Sequence, residues 1–282
     1  MTPTRQTAAT NDGHHFDIAA YCARVGYSGD LAVSADMLRA LQAAHIAAIP
    51  FEAIDVLVGD GVSLDPAVIE DKLVHRRRGG YCYEQNGLFS RALEYIGFAV
   101  EPRIARVLWG GVGDDQFQPR THMVLLVEAA GEQWLVDVGF GSAVPTAPLR
   151  WTSEIAQDTR LGQYRLMPTS FGRRLELETD GGWRALYEVL LEVPQREDFE
   201  VSNWFTSTHP QSPFRRNLIV ARATRDERII LSGSELTFRS VGHDTRKEKL
   251  DLAGLEIALR EFFGLSVEPR WRSTLAQLVL RS

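Results

Sequence analysis

Arg78-Gly79-Gly80-Tyr81-Cys82-Tyr83-Glu84-Gln85-Asn86 sets one of the chain's two cysteines directly after a glycine pair and directly before a helical pattern. From Tyr83 to Gly97 the apolar residues Leu88, Phe89, Ala92, Leu93 and Ile96 recur at three- and four-residue spacings, the period of a buried helical face. Gly97 can close that helix in a left-handed cap. Cys82 then stands at a helix N-terminus, where unpaired N–H groups and the helix dipole favour an anion and hence a thiolate. The glycine pair predicts a sharp backbone turn that presents the thiol. The competing reading is an inert, buried thiol, because free cysteine behaves as a small apolar residue. Partners elsewhere in the chain have to decide between the two.

Upstream of this stretch the pattern is helical. Phe16 to Val25 is a short amphipathic segment ended by Gly26, and Ser34 can cap a run from Ala35 to Ile49 that stops at Pro50. Asp65-Pro66 suits the N-cap and first turn of a helix through Val68, Ile69 and Leu73, terminated by Gly79 and Gly80. Between them, Ile49 to Leu57 is a mixed apolar and acidic connection whose Glu52 and Asp55 either face solvent or pair internally with Arg78, the second reading being favoured.

Downstream the rhythm changes. Val100 to Leu108, His122 to Val127, Gln133 to Val138, Tyr164 to Met167, Arg174 to Glu178 and Trp183 to Leu190 are short apolar runs rich in β-branched residues. Gly, Pro and Asp bound them, the signature of antiparallel strands, and Asp180-Gly181-Gly182 is a hairpin signal. This is an α+β chain: a helical bundle over residues 1–97, then a β-rich region over 98–200 that suits a small barrel. Residues 201–282 form a third region, beginning with Val201 to Phe214, which is aromatic, hydroxyl-rich and twice interrupted by proline. It reads as a long functional loop. Strands at Asn217 to Ala223, Arg228 to Ser232 and Glu235 to Arg239 follow, then helices at Leu252 to Phe263 and Ser273 to Leu280.

Bulk properties exclude several function classes. The net charge of −6 and the scatter of basic residues argue against a nucleic-acid surface. Two cysteines make neither a disulfide framework nor a cysteine zinc site, and a reducing, cytoplasmic compartment is the simplest fit. Met1 to His15 is polar, lacks the apolar core of a signal peptide, and is expected to be a mobile tail. No apolar run reaches the roughly 20 residues a membrane helix needs.

A nucleophilic cysteine needs a base, and the base needs an orienting group. Of seven histidines, His122 begins a strand next to a polar loop, Gly110 to Arg120, a rigid place from which to point into a site. Asp137 ends the apolar strand Trp134-Leu135-Val136, where an ionised carboxylate requires a partner. The 15-residue separation of the two suits adjacent antiparallel strands joined by Glu128 to Glu132. Gly139 and Gly141 read as a tight turn after a strand rather than a phosphate loop.

The cysteine stretch, Thr121-His122-Met123, Val136-Asp137-Val138-Gly139-Phe140-Gly141 and Ile49-Pro50-Phe51-Glu52 together resemble the arylamine N-acetyltransferases of bacterial type, in the right order and over nearly the whole chain. The resemblance implies a helical bundle, a β-barrel and an α/β lid around a papain-like cysteine nucleophile. It implies a Cys82, His122 and Asp137 triad, and a ping-pong transfer from acetyl-CoA to an arylamine, arylhydrazine or hydrazide through acetyl-Cys82. A backbone N–H near Cys82 would stabilise the oxyanion. Acetyl-CoA is then a co-substrate, with no permanent cofactor and no metal, in a monomeric or homodimeric enzyme of xenobiotic metabolism. Phe140 and Phe214 resemble the family's apolar acceptor lining, and Trp109 and Gly141 resemble positions along its CoA cleft. Thr206, Ser207, Arg215 and Arg216 are candidates for the CoA phosphates. Arg78 and Glu52 read as a structural pair. The same triad order also serves papain-like or transglutaminase-like hydrolases, and the same fold serves amide synthases acting on polyketide-type acyl donors.

Overall fold

The computed structural model describes residues 15–110 and 118–281, so the N-terminal tail and most of the polar loop after Gly110 lie outside the described residues. The first region holds α1 (Ile18–Val25), α2 (Ala35–Ala48), β1 (Phe51–Glu52), α3 (Ile54–Val58), α4 (Pro66–Glu70) and α5 (Cys82–Ile96). Ser34 and Asp65 cap α2 and α4 through their side chains as expected, and Gly97 closes α5 with φ 108°. α4 runs on into a π-helical turn, Asp71–His75. Its end is not set by the glycine pair. Arg77 takes the left-handed backbone at φ 55°, and the Arg78 N–H bonds back to the Lys72 carbonyl at 2.9 Å.

Next come β2 (Ala99–Val107), β3 (Arg120–Ala129), β4 (Glu132–Val136), β5 (Leu149–Arg150), β6 (Gln157–Thr159), β7 (Gly162–Pro168), β8 (Gly172–Thr179) and β9 (Gly182–Leu190). They form one antiparallel sheet in the order β5-β4-β3-β2-β9-β8-β7-β6. Its two edges nearly meet: the Gln157 side-chain amide accepts from the Arg150 N–H at 2.7 Å and donates to the Arg150 carbonyl at 3.1 Å. One side chain thus imitates a ladder pair and leaves a barrel-like sheet almost without edges. Alternation along β3 is buried on both faces. Val124 and Leu126 join the barrel interior with Leu135, Tyr164 and Tyr187, whereas Met123, Leu125 and Val127 join the helical core with Phe89 and Leu93. That double burial is why Met123 to Val127 reads as a continuous apolar run.

The remainder contains α6 (Arg196–Thr208), α7 (Pro213–Arg216), β10 (Ile219–Ala223), β11 (Glu227–Ser232), β12 (Glu235–Ser240), β13 (Arg246–Lys249), α8 (Leu252–Phe263) and α9 (Arg272–Arg281). The expected loop from Val201 to Phe214 is therefore wrong for most of its length. Hydroxyl residues lower helix propensity by competing for backbone, but here Thr206, Ser207 and Thr208 donate to the carbonyls four residues back and stay inside the helix. β13, made of charged residues, carried no apolar signal. The second sheet runs β1-β10-β11-β12-β13, so its first strand comes from the connection between α2 and α3. Ile54 of α3 likewise packs with Leu231, Leu255, Phe263 and Trp271.

Between β3 and β4 the two-residue turn Ala130-Gly131 has φ 54° and 77°. Hairpin turns with both central residues left-handed favour Asn-Gly, and alanine is strained at the first. Ala130→Asn is expected to stabilise the protein by about 0.5–1 kcal/mol, seen as a higher urea midpoint at an unchanged slope.

Candidate active site

Three elements converge on Cys82, His122 and Asp137. Cys82 is the first residue of α5, and Glu84 accepts the Tyr81 N–H at 3.0 Å, holding the start of that helix. The glycine pair in front of it is required by close approach, not by an unusual turn: neither residue has positive φ. A Cβ on Gly79 would lie 2.2 Å from the Pro50 carbonyl oxygen, and one on Gly80 would lie 2.8 Å from Glu84. The Glu52 N–H then bonds to the Gly80 carbonyl at 3.0 Å, and Gln85 Nε2 donates to Pro50 and Gly80 carbonyls at 2.8 and 3.2 Å. His45, wholly buried, orders Gln85 through a 2.7 Å hydrogen bond and takes a second, 2.8 Å bond with the Tyr21 hydroxyl.

His122 lies near the start of β3 and Asp137 one residue beyond β4. Residues 125 and 136 are in register, so Asp137 shares the face of Val124 and His122. His122 Nε2 is 2.8 Å from Asp137 Oδ2. Cys82 Sγ approaches the carbonyl of Thr121, the residue before His122, at 3.8 Å. With Nε2 committed to the carboxylate, Nδ1 is the nitrogen left for the thiol. The second Asp137 oxygen accepts from Asn86 Nδ2 at 3.0 Å and from the Gly139 N–H at 2.7 Å. Asn86 also donates to the Met123 carbonyl at 2.8 Å and accepts the Val138 N–H at 3.0 Å, so one side chain of α5 ties together β3, β4 and the acid. Gly139 can only be glycine: a Cβ would sit 2.7 Å from Cys82 Cα. Gln42 of α2 adds bonds to the Asp137 and Pro145 carbonyls at 3.2 and 2.9 Å.

All three side chains are buried, Cys82 at 4% exposure and Asp137 at 1%. Burial by itself disfavours imidazolium, but the charge and hydrogen bond of Asp137, helped by Cys82, raise His122 to about 9. Burial likewise opposes the carboxylate, and His122, Asn86 and the Gly139 N–H outweigh it, lowering Asp137 below its ordinary range. The arrangement therefore stores a proton on the imidazole beside a sulfur. Among the described residues no group of three or more His, Cys, Asp and Glu side chains is arranged to hold a metal ion.

The aromatic candidates fall around this centre. The Phe140 ring stands 5.0 Å from the His122 ring and 4.8 Å from Tyr187, and Gly141, at φ 68°, turns the chain so that it meets Phe51. Phe214 touches Phe51 and Tyr81, each at 5.9 Å between rings. Trp109 is half-buried under the Arg184 guanidinium at 4.1 Å. Thr206 and Ser207 are buried with their hydroxyls committed to helix carbonyls, whereas Arg215 and Arg216 are exposed. Glu52 and Asp55 do pair with Arg78, at 2.7 and 3.1 Å.

The family profile described as N-acetyltransferase matches residues 34–272. The chain is 39% identical over 250 residues to the arylamine N-acetyltransferase of Escherichia coli K12, covering 88% of each chain. The chain belongs to the arylamine N-acetyltransferase family. It is an acetyltransferase. The fold agrees: the arylamine N-acetyltransferase of Mycobacterium marinum in complex with CoA superposes with a TM-score of 0.89 at 37% identity, over 93% of this chain and 99% of that one. A Salmonella typhimurium relative, named arylamine N-acetyltransferase and N-hydroxyarylamine O-acetyltransferase, is 41% identical over 234 residues, 82% of this chain and 83% of its own.

Within this acetyltransferase, reading the sequence missed Asn86, Gln42 and Tyr187. Asn86 carried a usable signal, since it follows Cys82 by four residues and must share its helix face. Gln42 and Tyr187 carried none, because only the tertiary packing brings them to Asp137 and His122.

The His122 shift has a sign. Its folded value of about 9 exceeds the ordinary 6.5, so the pair's contribution to stability is complete below pH 6.5 and is lost as pH rises through 9. An NMR titration of the His122 ring should give a midpoint near 9 in the wild type. In Asp137→Asn burial acts unopposed by the carboxylate, and the midpoint should fall below 6.5.

Proposed function

We propose that the enzyme moves the acetyl group of acetyl-CoA to the nitrogen of an arylamine, arylhydrazine or hydrazide in two half-reactions through acetyl-Cys82. The observation that carries this is the buried His122 and Asp137 pair, which leaves one ring nitrogen for the Cys82 thiol. Cys82 attacks the thioester carbonyl carbon as the thiolate of an ion pair with the His122 imidazolium. The carbon–sulfur bond to CoA breaks, and the departing thiolate takes the proton from the imidazolium. In the second half-reaction the acceptor nitrogen attacks the acetyl carbon, His122 removes a proton from it, and Cys82 leaves as the thiolate. Asp137 holds the ring in orientation and offsets its positive charge in both steps. The N-terminal backbone N–H groups of α5 are suited to receive the oxyanion.

Burial of the thiol supports transfer over hydrolysis, since the acyl-enzyme must be kept from water. The resemblance to a papain-like nucleophile extends to a cysteine at a helix start facing a histidine on a sheet. Phe51, Phe140 and Phe214 form an apolar wall suited to an aromatic acceptor. The named CoA complex of the M. marinum relative supports a CoA cleft here, for which Trp109 and Gly141 are the lining candidates. Arg215 and Arg216 are available for its phosphates, while the buried Thr206 and Ser207 support the backbone of α6 instead. The C-terminal sheet, α8 and α9 then act as a lid, and a reducing cytoplasm suits the free thiol.

Incubation with acetyl-CoA and no acceptor should add one acetyl group to the intact mass, and Cys82→Ala should abolish it. An unmodified wild-type mass, or hydrolysis without an adduct, would overturn the transferase mechanism. Asp137→Asn is expected to remain folded and to lose about 10²–10⁴-fold in acetyl transfer; near-wild-type turnover would remove Asp137 from the machinery.

A further inference from the structure

Arg228 of β11 is buried at 7% exposure, yet it lies outside the triad and reaches across from the second sheet into the barrel region. Its Nη1 donates to the Val144 carbonyl at 2.9 Å and to the Ser142 carbonyl at 3.4 Å. Its Nη2 donates to the Leu161 carbonyl at 3.2 Å and to the Tyr164 hydroxyl at 2.8 Å. Tyr164 in turn donates to the Ala143 and Val144 carbonyls at 3.1 and 3.2 Å. Every one of these acceptors is neutral. A buried guanidinium held only by carbonyls and a hydroxyl is costly, and its planar fork spans several acceptors that no other side chain could join.

Two of the three carbonyls it gathers, those of Ser142 and Val144, belong to the short 3₁₀ turn Gly141–Ala143 and the residue after it. This segment has two independently anchored ends. Asn86, the Gly139 N–H and Gln42 fix its start at Asp137, beside Cys82 and His122. Arg228 and Tyr164 fix its far end. Between the anchors stand Phe140, against His122, and Gly141, whose Cβ position lies 3.3 Å from the Phe51 ring. We infer that Arg228 is a positioning residue that sets the Phe140–Gly141 wall of the substrate cleft from the C-terminal sheet, without acting on the reactivity of the thiol. The C-terminal region thereby shapes the cleft by a clasp and not only by covering it.

The inference rests on the acetyl-CoA reading, and the experiment separates the two. Arg228→Met, Arg228→Lys and Tyr164→Phe are compared with the wild type in two assays: alkylation of Cys82 by iodoacetamide, and steady-state acetylation of an arylamine by acetyl-CoA. Alkylation should stay within about 2-fold of wild type, since the anchors of Asp137 are untouched. For Arg228→Met, kcat/KM should fall about 10- to 100-fold, mainly through KM, as expected when a mutation misplaces a binding wall remote from the chemistry. Arg228→Lys should recover part of the loss, because an ammonium reaches some of the acceptors. Tyr164→Phe should show a smaller loss of the same kind, and it keeps the test alive should Arg228→Met fail to fold. A parallel fall in alkylation and kcat, or lowered thermal stability with unchanged KM, would overturn the positioning role. A wild type that alkylates but does not accept acetyl from acetyl-CoA would overturn the acetyl-CoA reading instead.

Discussion

One buried carboxylate organises the centre of this protein. Asp137 is ionised with almost no access to water, a state that survives only when every lone pair has a donor. Those donors come from three different elements: His122 from β3, Asn86 from α5 and the backbone of Gly139 beyond β4. Satisfying the acid therefore forces the helical region and the barrel into a single register. The same contacts bring the first residue of α5 against the first turns of β3. Geometry that satisfies a charge also brings Cys82, His122 and Asp137 together.

The neighbourhood of Cys82 is braced by a second buried polar system. Arg78 holds Glu52, Asp55 and Glu268 and stacks on Trp271 at 4.4 Å, while Lys72 links Asp55 to Glu84 at 2.7 and 2.6 Å. Through Glu84 this network reaches the N–H before Cys82, and through Glu268 it reaches the C-terminal region. Arg228 makes a comparable connection to the segment that follows Asp137, with carbonyls in place of carboxylates. The C-terminal region thus grips the site at two separate points. Paired and hydrogen-bonded charges of this kind add less to net stability than to a unique arrangement, since removing one partner strands the other.

Reading the chain placed most helices and strands within a few residues because their apolar periods were clear. α5 and α8 are the strongest cases, each an apolar helical period closed by a glycine, Gly97 and Gly264. The errors have physical causes. α6 looked like a loop because its serines and threonines were weighed by intrinsic preference, and only their back-bonding and the burial of Ser202, Asn203, Thr206 and Ser207 show why a helix holds there. β13 exposes all four of its residues, so no hydrophobic pattern marks it. Gly79 and Gly80 matter for close packing rather than for a turn. Their lack of a side chain admits Pro50, Glu52 and Glu84, a fact about packing that local sequence does not contain.

The sequence by itself determined the ingredients: a cysteine at a helix start, a histidine opening one strand, an aspartate ending the next, and four motifs whose order resembles one enzyme family. Local patterns suffice for these because helix caps, strand alternation and motif spacing are properties of neighbouring residues. Tertiary structure decided which ring nitrogen of His122 meets the carboxylate and which side chains satisfy the acid. It also decided that a strand from residues 51–52 completes the C-terminal sheet and that Arg228 reaches the Ser142 and Val144 carbonyls from that sheet. Those contacts join residues far apart in the chain, and only burial, which makes an unpaired polar group costly, selects among the pairings that the sequence allows.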